Sequence, residues 1–437
     1  MRTVTTRSYL DHASTSPLRP EAREALLGAL DIAGDPGRIH AEGLTAREAV
    51  EQARRQVADF LGARPREVVF TGGATEAIAA ACWGASARWA DRRGAPTPGP
   101  QRSGDTGSTA EPSGTEGLGD GAGTARTGGT GGPHQVVPAV EHSAVRLAAA
   151  RHGDVTIVPV DAHGHVDIGD LLAAVRDDTA LVHLQWGNHE VGTRQALAEA
   201  VAACRERGVL VHVDAAQAVG RQAVRFRDLG ADLLSVSAHK FGGPAGVGAL
   251  LVRQGLRLPP LLVGGDQERA RRAGLENVPG LAAFGATCAA LASPAAGPGA
   301  GDDRPVTRAE AEGAEQRRLT DRIAAALGTT PGLDGLSVYG DPDDRLPHIL
   351  CLGVEGIEPQ AVLLGLDRAG IAAHSGSACS SESLEPSPVL EAMGVDAHHS
   401  LRLSVGWSTT DADVDRLLDA LPRVLADLRS LTSRAHG

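Results

Sequence analysis

The sequence predicts an α/β protein: a large domain on a mostly parallel seven-stranded sheet, followed by a smaller α+β domain. Three observations predict it. From Glu67 to Val252, short β-branched runs alternate with segments of helical length, the pattern of right-handed strand–helix–strand crossovers. Two of those runs end on chemistry-bearing residues, in Val211-His212-Val213-Asp214 and Ser235-Val236-Ser237-Ala238-His239-Lys240. A Gly/Pro/Asp-rich break, Pro294 to Pro305, then interrupts the pattern. The chain of 437 residues has room for both units.

Composition narrows the class. At 42% apolar and only 3% aromatic, the core must be mostly Ala, Val and Leu. A formal charge of −12 argues against nucleic acid or an anionic membrane as a direct partner. Met1 to Ser8 holds no apolar signal core, and no stretch approaches the length of a membrane span, so a cytoplasmic location is the default expectation. The cysteines, Cys82, Cys204, Cys288, Cys351 and Cys379, are odd in number and show no CxxC pairing. That disfavours a disulfide framework or a metal site.

In order, Tyr9 to Ala13 is a short opening segment and Glu21 to Ile32 a helix introduced by Pro17 and Pro20. Thr45 to Leu61 is an amphipathic helix with Thr45 and Glu48 as its expected capping box. Glu67 to Phe70 is a strand, and Thr71-Gly72-Gly73-Ala74-Thr75-Glu76 leads from it into an Ala-rich helix. Strand, Gly-Gly turn and helix start make a phosphate cradle of bare backbone amides, although a tight turn with a threonine cap accounts for the same letters. Gly94 to Pro133 is a polar low-complexity insertion, expected to be disordered and without part in the chemistry. Strands are expected at 135–142, 155–160, 179–185, 209–213, 232–237 and 249–252, with helices at 167–175 and 195–207. Beyond the break come a helix at 308–327, a strand at 348–352, a helix at 359–369, a loop at 371–388 with Cys379, a strand at 400–405 and a closing helix at 411–431. The expected division is therefore a large domain over 16–292, a linker at 293–305, and a small domain from 1–15 and 306–437 that carries the Cys379 loop.

Asp214 and Lys240 suggest the chemistry. A lysine that forms a Schiff base, and an acid that keeps a pyridinium nitrogen protonated, are what pyridoxal 5′-phosphate requires of a protein. His142, after a strand, is placed for the ligand crevice, with a solvated residue beside a helix cap as the bland alternative. Cys379 alone is a surface thiol in a Ser-rich loop; beside the lysine–aspartate pair it becomes a candidate nucleophile.

Taken together, Ala74-Thr75-Glu76, Glu141-His142, Asp214-Ala215-Ala216-Gln217, Ser237-Ala238-His239-Lys240, Gly376-Ser377-Ala378-Cys379-Ser380 with Leu384-Glu385-Pro386-Ser387, and Arg402-Leu403-Ser404 resemble the cysteine desulfurases of the NifS/IscS type. These belong to the class-V aminotransferases, of pyridoxal-phosphate transferase fold type I. The resemblance implies that Lys240 carries the cofactor and moves the substrate Cα proton. It implies that Asp214 pairs with the ring nitrogen and that Gln217 bonds the phenolic oxygen. Ala74 and Thr75, with neighbouring amides, and Ser237 and His239 would hold the phosphate. His142 would stack on the ring, Arg402 would receive the substrate carboxylate, and Cys379 would take the sulfur of L-cysteine as a persulfide. A homodimer and a sulfur-acceptor protein are implied as partners, with iron–sulfur clusters, tRNA or a metabolite as destinations.

Two positions depart from the family pattern. Where the family usually has asparagine, the chain has His189 with Asn188 just before it, and either could contact the cofactor, Asn188 the substrate also. Where a threonine usually reaches across the dimer to the phosphate, the run is Arg272-Ala273-Gly274-Leu275, and leucine donates no hydrogen bond. Competing readings are a selenocysteine lyase or another class-V lyase or aminotransferase, and a non-catalytic scaffold that acts by binding partners.

Overall fold

The computed structural model describes residues 7–94, 126–127, 132–295, 305–376 and 386–435. The chain enters through β1 (Ser8–Tyr9). The large sheet follows: β2 (Val68–Thr71), β3 (Arg126–Thr127), β4 (His134–Pro138), β5 (Asp154–Val158), β6 (Thr179–Gln185), β7 (Leu210–Asp214), β8 (Leu233–Ser237) and β9 (Gly248–Val252). Their order across the sheet is β2-β9-β8-β7-β6-β4-β5-β3. From β5 to β8 every pairing is parallel; β9 runs antiparallel to both β8 and β2, so of the seven main strands only β9 is reversed. The seven-stranded, mostly parallel sheet is as expected. The two-residue β3 adds an eighth, antiparallel edge inside the insertion expected to be disordered; residues 95–125 and 128–131 of that insertion lie outside the described residues.

Buried strands that read as apolar runs are covered on both faces, as parallel sheets require. The helix Ala41–Phe60 turns Ala46, Val50, Ala53 and Val57 to the core. It begins four residues before the expected start, because the His40 imidazole accepts from the Gly43 amide and caps it there. Thr45 is consequently inside the helix, bonded back to Ala41 O, and forms no capping box. The helix Val278–Ala292, which packs against Ala41–Phe60 and Pro20–Ala29, has no counterpart in the sequence expectations. Nine of its fifteen residues are buried and it is apolar nearly all round, so it offers no polar face to set a period. The strand around His142 is shorter than expected: β4 stops at Pro138, where the ladder ends in a turn.

A second apolar cluster, including Leu319, Ile323, Leu352, Leu403, Leu417 and Leu421, gathers the helices Arg308–Leu327, Pro359–Arg368 and Asp411–Ala435. They pack on an antiparallel sheet of β10 (Leu336–Tyr339), β11 (Ile349–Val354) and β13 (Ser400–Ser404). Leu10 belongs to the same cluster, and β1 pairs in parallel with β12 (Ile371–Ala372). The N-terminal segment is thus held by the C-terminal third of the chain. No helix among the described residues is long and apolar enough to cross a membrane.

Candidate active site

The parallel strands end in a row, and a cavity of about 640 Å³ opens beyond their C-terminal ends. In an open α/β sheet that is where ligands bind. Lys240, Asp214, His142, His189, Ser237 and Thr75 all face it.

Asp214 is the last residue of β7, and register places Ser235 of β8 directly beside it. The Ser235 hydroxyl donates to Asp214 Oδ1 at 3.2 Å and the Ala216 amide to the same oxygen at 3.0 Å. Both bonds fall on Oδ1, which leaves Oδ2 to the cavity. Lys240 rides on the single turn Ala238–Phe241 after β8. Its Nζ donates to Ala13 O at 2.7 Å and Ser14 O at 3.0 Å. Burial first, then Arg402 and Arg221, push the amine down to about 8, against the pull of Asp214 and Asp11. A substantial neutral fraction near neutral pH is what a nucleophilic amine needs.

His142 lines the cavity and also caps the helix Ser143–His152, its Nδ1 accepting from the Ala144 amide at 3.1 Å. The two readings of this residue describe one geometry. Its ring meets His189 edge to face, centroids 4.9 Å apart. Burial, with His189 and Lys240 adding to it, lowers His142 to about 4, so the imidazole is neutral at physiological pH. His239 is likewise lowered to about 4, by burial first and then Lys240.

The residues at the other end of the cavity fit a phosphate. Gly73 has φ +145°, open to glycine but strained for other residues, and the amides that follow begin the helix Ala74–Arg93 without a side-chain cap. A Cβ on Gly73 would point at the Ser237 hydroxyl, 3.6 Å away. Ala74, Thr75, Ser237 and His239 therefore surround a pocket for an anion at a helix start. The donor set as a whole, amine, carboxylate, neutral imidazoles and phosphate cradle, fits pyridoxal phosphate.

Some residues take other places. Asn188 is fully buried and turned away from the cavity: its amide donates to Val140 O, and its Oδ1 accepts from the Glu190 and Val191 amides. Of the pair, His189 is the one that lines the cavity. Gln217 lines it too, but donates to Ala13 O and meets His348 Nε2 at 3.1 Å. Arg402, in β13, is buried; Nη2 donates to Asp11 Oδ1 (3.0 Å) and Ser14 Oγ (2.7 Å), Nη1 donates to His189 O (2.9 Å), and Nε has no partner. Cys379 lies outside the described residues. The flanks of its loop are fixed: the Gly376 amide donates to His374 Nδ1, and the Ser387 hydroxyl donates to buried Glu190. The other four cysteines are buried, and burial pushes each thiol up, Cys204 to about 11.

Two contributors were given no role by the sequence reading. The segment Asp11–Ser14 supplies the carbonyls that hold Lys240 and the carboxylate that holds Arg402, yet it reads as an ordinary polar stretch. Glu141 is buried with both carboxyl oxygens unpaired; burial and then Asp214 raise it well above the usual range, which favours its neutral form.

Comparison with known proteins agrees with this geometry. The profile of the Aminotransferase class-V family matches residues 8–95 and 122–417. Cysteine desulfurase IscS of Methanosarcina thermophila is 36% identical over 434 residues, covering 97% of this chain and 93% of that one. A solved NifS-like protein superposes with a TM-score of 0.76 at 26% identity, covering 97% of this chain and all of the other. A solved structure of SspA in complex with cysteine reaches 0.69 at 25% identity, over 92% of this chain and the whole of that one. The chain belongs to the class-V aminotransferase family, beside the cysteine desulfurases of the NifS/IscS type.

Proposed function

We propose that the chain is a pyridoxal-phosphate-dependent cysteine desulfurase, which converts L-cysteine to L-alanine and leaves the sulfur on Cys379 as a persulfide for an acceptor protein. The observation that carries the reading is one cavity walled by the Lys240 amine, the Asp214 carboxylate and the Gly72–Thr75 cradle. The cofactor would be held by Asp214 at its ring nitrogen, by Gln217 and His189 at its polar edge, by His142 against its face, and by Ala74, Thr75, Ser237 and His239 at its phosphate. When bound, it supplies an electron sink for the substrate Cα.

The chain's own groups do the rest. Arg402 takes the substrate carboxylate; its unpaired Nε and its Asp11 contact leave a guanidinium ready to exchange partners. Lys240 takes the proton from the substrate Cα once its amine is free. The Cys379 thiolate attacks the substrate sulfur; the C–S electrons stay with the substrate Cβ, which gains a proton to become the methyl of alanine. His142, neutral and in contact with His189, passes protons at the ring face. Leu262, Val263 and Leu275, exposed apolar side chains, suit coverage by a second copy in a homodimer.

The test is purified holoenzyme with L-cysteine and a reductant, measuring alanine and sulfide. Both should form in equal amounts, and Cys379→Ala should lose sulfide release while keeping the cofactor absorbance. Unchanged sulfide release from that variant would remove Cys379 from the mechanism. Alanine and selenide formed only from selenocysteine would favour the lyase reading instead.

A further inference from the structure

Beside Lys240, and not lining the cavity, lies Arg221, a cation with no carboxylate within ion-pair distance among the described residues. Arg221 is 3% exposed. Its Nη2 donates to Lys240 O at 2.7 Å and to His12 O at 3.4 Å. Its Nε and Nη1 are buried without any partner. Backbone packs tightly around it: a Cβ on Gly220 would stand 2.5 Å from Phe241 Cβ, and one on Gly313 would stand 1.9 Å from Arg221 O. The lysine turn, the arginine turn and the helix Arg308–Leu327 are therefore wedged together.

A neighbour shows what is unusual. Arg19 performs a similar clamp one residue on, donating from Nε to Phe241 O at 2.8 Å. But Arg19 is neutralised by Glu312, with two bonds of 2.9 and 2.5 Å. Arg221 shares only the remote field of that glutamate. Burial and the nearby Arg19 push Arg221 down to about 9, still charged at neutral pH. A buried, uncompensated guanidinium is costly, and a hydroxyl already bonds the same carbonyl: Ser16 Oγ donates to Lys240 O at 3.0 Å. Geometry alone thus leaves the charge unexplained.

We propose that Arg221 is a positioning residue for Lys240: it fixes the lysine turn to the His12–Ser16 segment and holds an unpaired positive charge on the turn that carries the amine. The charged and titratable groups facing Lys240 are Arg402 from β13, Asp11 from the N-terminal segment, Asp214 from β7, His142 after β4, His348 before β11, His374 after β12, His239 on its own turn, and Arg221. Those facing Arg221 are Arg19, Glu312, His12, His348, Lys240 and His239. This deepens the reading of Lys240 as the cofactor lysine.

The test uses apoprotein, so it reads the amine without the cofactor. Trace acetylation by acetic anhydride is followed against pH on the Lys240 peptide by mass spectrometry. Arg221→Gln and Arg221→Met should raise the midpoint of Lys240 reactivity by about 0.5–1 pH unit, the effect of one like charge withdrawn. Arg221→Lys, which keeps the charge, and Ser16→Ala, which removes only a hydrogen bond, should leave it in place. An unmoved midpoint in folded Arg221→Gln or Arg221→Met would overturn the proposal. So would an equal rise in Arg221→Lys, which decides the matter should the neutral variants not fold. Borohydride reduction of the holoenzyme locates the cofactor separately: if it is trapped elsewhere while the Arg221 shift stands, the cofactor reading falls and the Arg221 proposal does not.

Discussion

On the proposed function the chemistry turns on Lys240, and its surroundings set a pH dependence. Its amine is lowered to about 8 from the usual 10.5. Because the neutral amine is the nucleophile, capture of pyridoxal phosphate by apoprotein should accelerate as pH rises through about 8 and then level off, which stopped-flow absorbance would follow. The sign for stability runs the same way. The native state disfavours the proton, so this group opposes folding below about 8, and the penalty fades as pH climbs towards 10.5. His142 should stay neutral until the pH approaches 4. His142→Ala should lower kcat by roughly 10²-fold, the lower end for a lost acid–base group, in steady-state alanine formation. At this scale the sequence was most legible where a residue carries chemistry by type. Lys240 and Asp214 announce themselves as an amine and an acid at strand ends. The Ala13 and Ser14 carbonyls do not, because any residue could supply them. Asn188 and His189 could not be told apart by letters, since adjacent residues differ by a backbone rotation that only the folded loop defines.

Single elements are held by a few polar contacts whose loss is measurable. Thr307 and Glu310 cap the helix Arg308–Leu327 reciprocally. Thr307→Ala should cost about 1 kcal/mol in urea denaturation. Glu268 meets Arg54 through two bonds of 2.7 Å and accepts from the Phe70 amide at 2.8 Å, tying the helix Ala41–Phe60 to β2. Both side chains are almost fully buried, and Glu268→Ala leaves Arg54 only the Glu51 carboxylate at 3.0 Å and the Val68 carbonyl, so the cost should lie towards the lower end of roughly 3–5 kcal/mol. Glu268→Met paired with Arg54→Met should recover much of that loss. Arg308–Leu327 was easy to read from its two-sided pattern, and the fully buried strand Thr179–Gln185 from its short bounded run; both have the bounds the sequence suggests. Val278–Ala292 was invisible because full burial erases the contrast that periodicity needs. The edge strand Leu336–Tyr339 was missed for the opposite reason, two of its four residues being exposed, so that its pairing from Leu336↔Val354 to Tyr339↔Cys351 leaves little apolar pattern.

At the scale of the whole molecule, the cavity is walled by residues of the large sheet and its loops, and Arg402 of β13 bonds Asp11 and Ser14 beside the Lys240 amine. The insertion from 95 to 125 stands apart from that arrangement in composition: Gly, Ser, Thr and Pro with almost no apolar residue. Replacing it by a short Gly-Ser linker should leave kcat for cysteine unchanged and shift Tm by no more than a few degrees, since loop length enters stability only logarithmically. Calorimetry and alanine assays check this. The overall α/β order was legible because crossover folds repeat one unit. The order of elements alone does not give the contact by which the first described residues meet the last strand, where the Ser404 amide donates to Leu10 O, although residues 1–15 were expected in the small domain.

That meeting has a consequence in time. A ribosome delivers Asp11 early and Arg402 late, 391 positions apart, and β1 has no partner until β12 is made. The nascent chain can assemble the sheet, and with it the lysine turn, well before the segment that grips the lysine amine is pinned in place. If Arg402 receives the substrate carboxylate, as proposed, a chain that stops before β13 should turn over no cysteine.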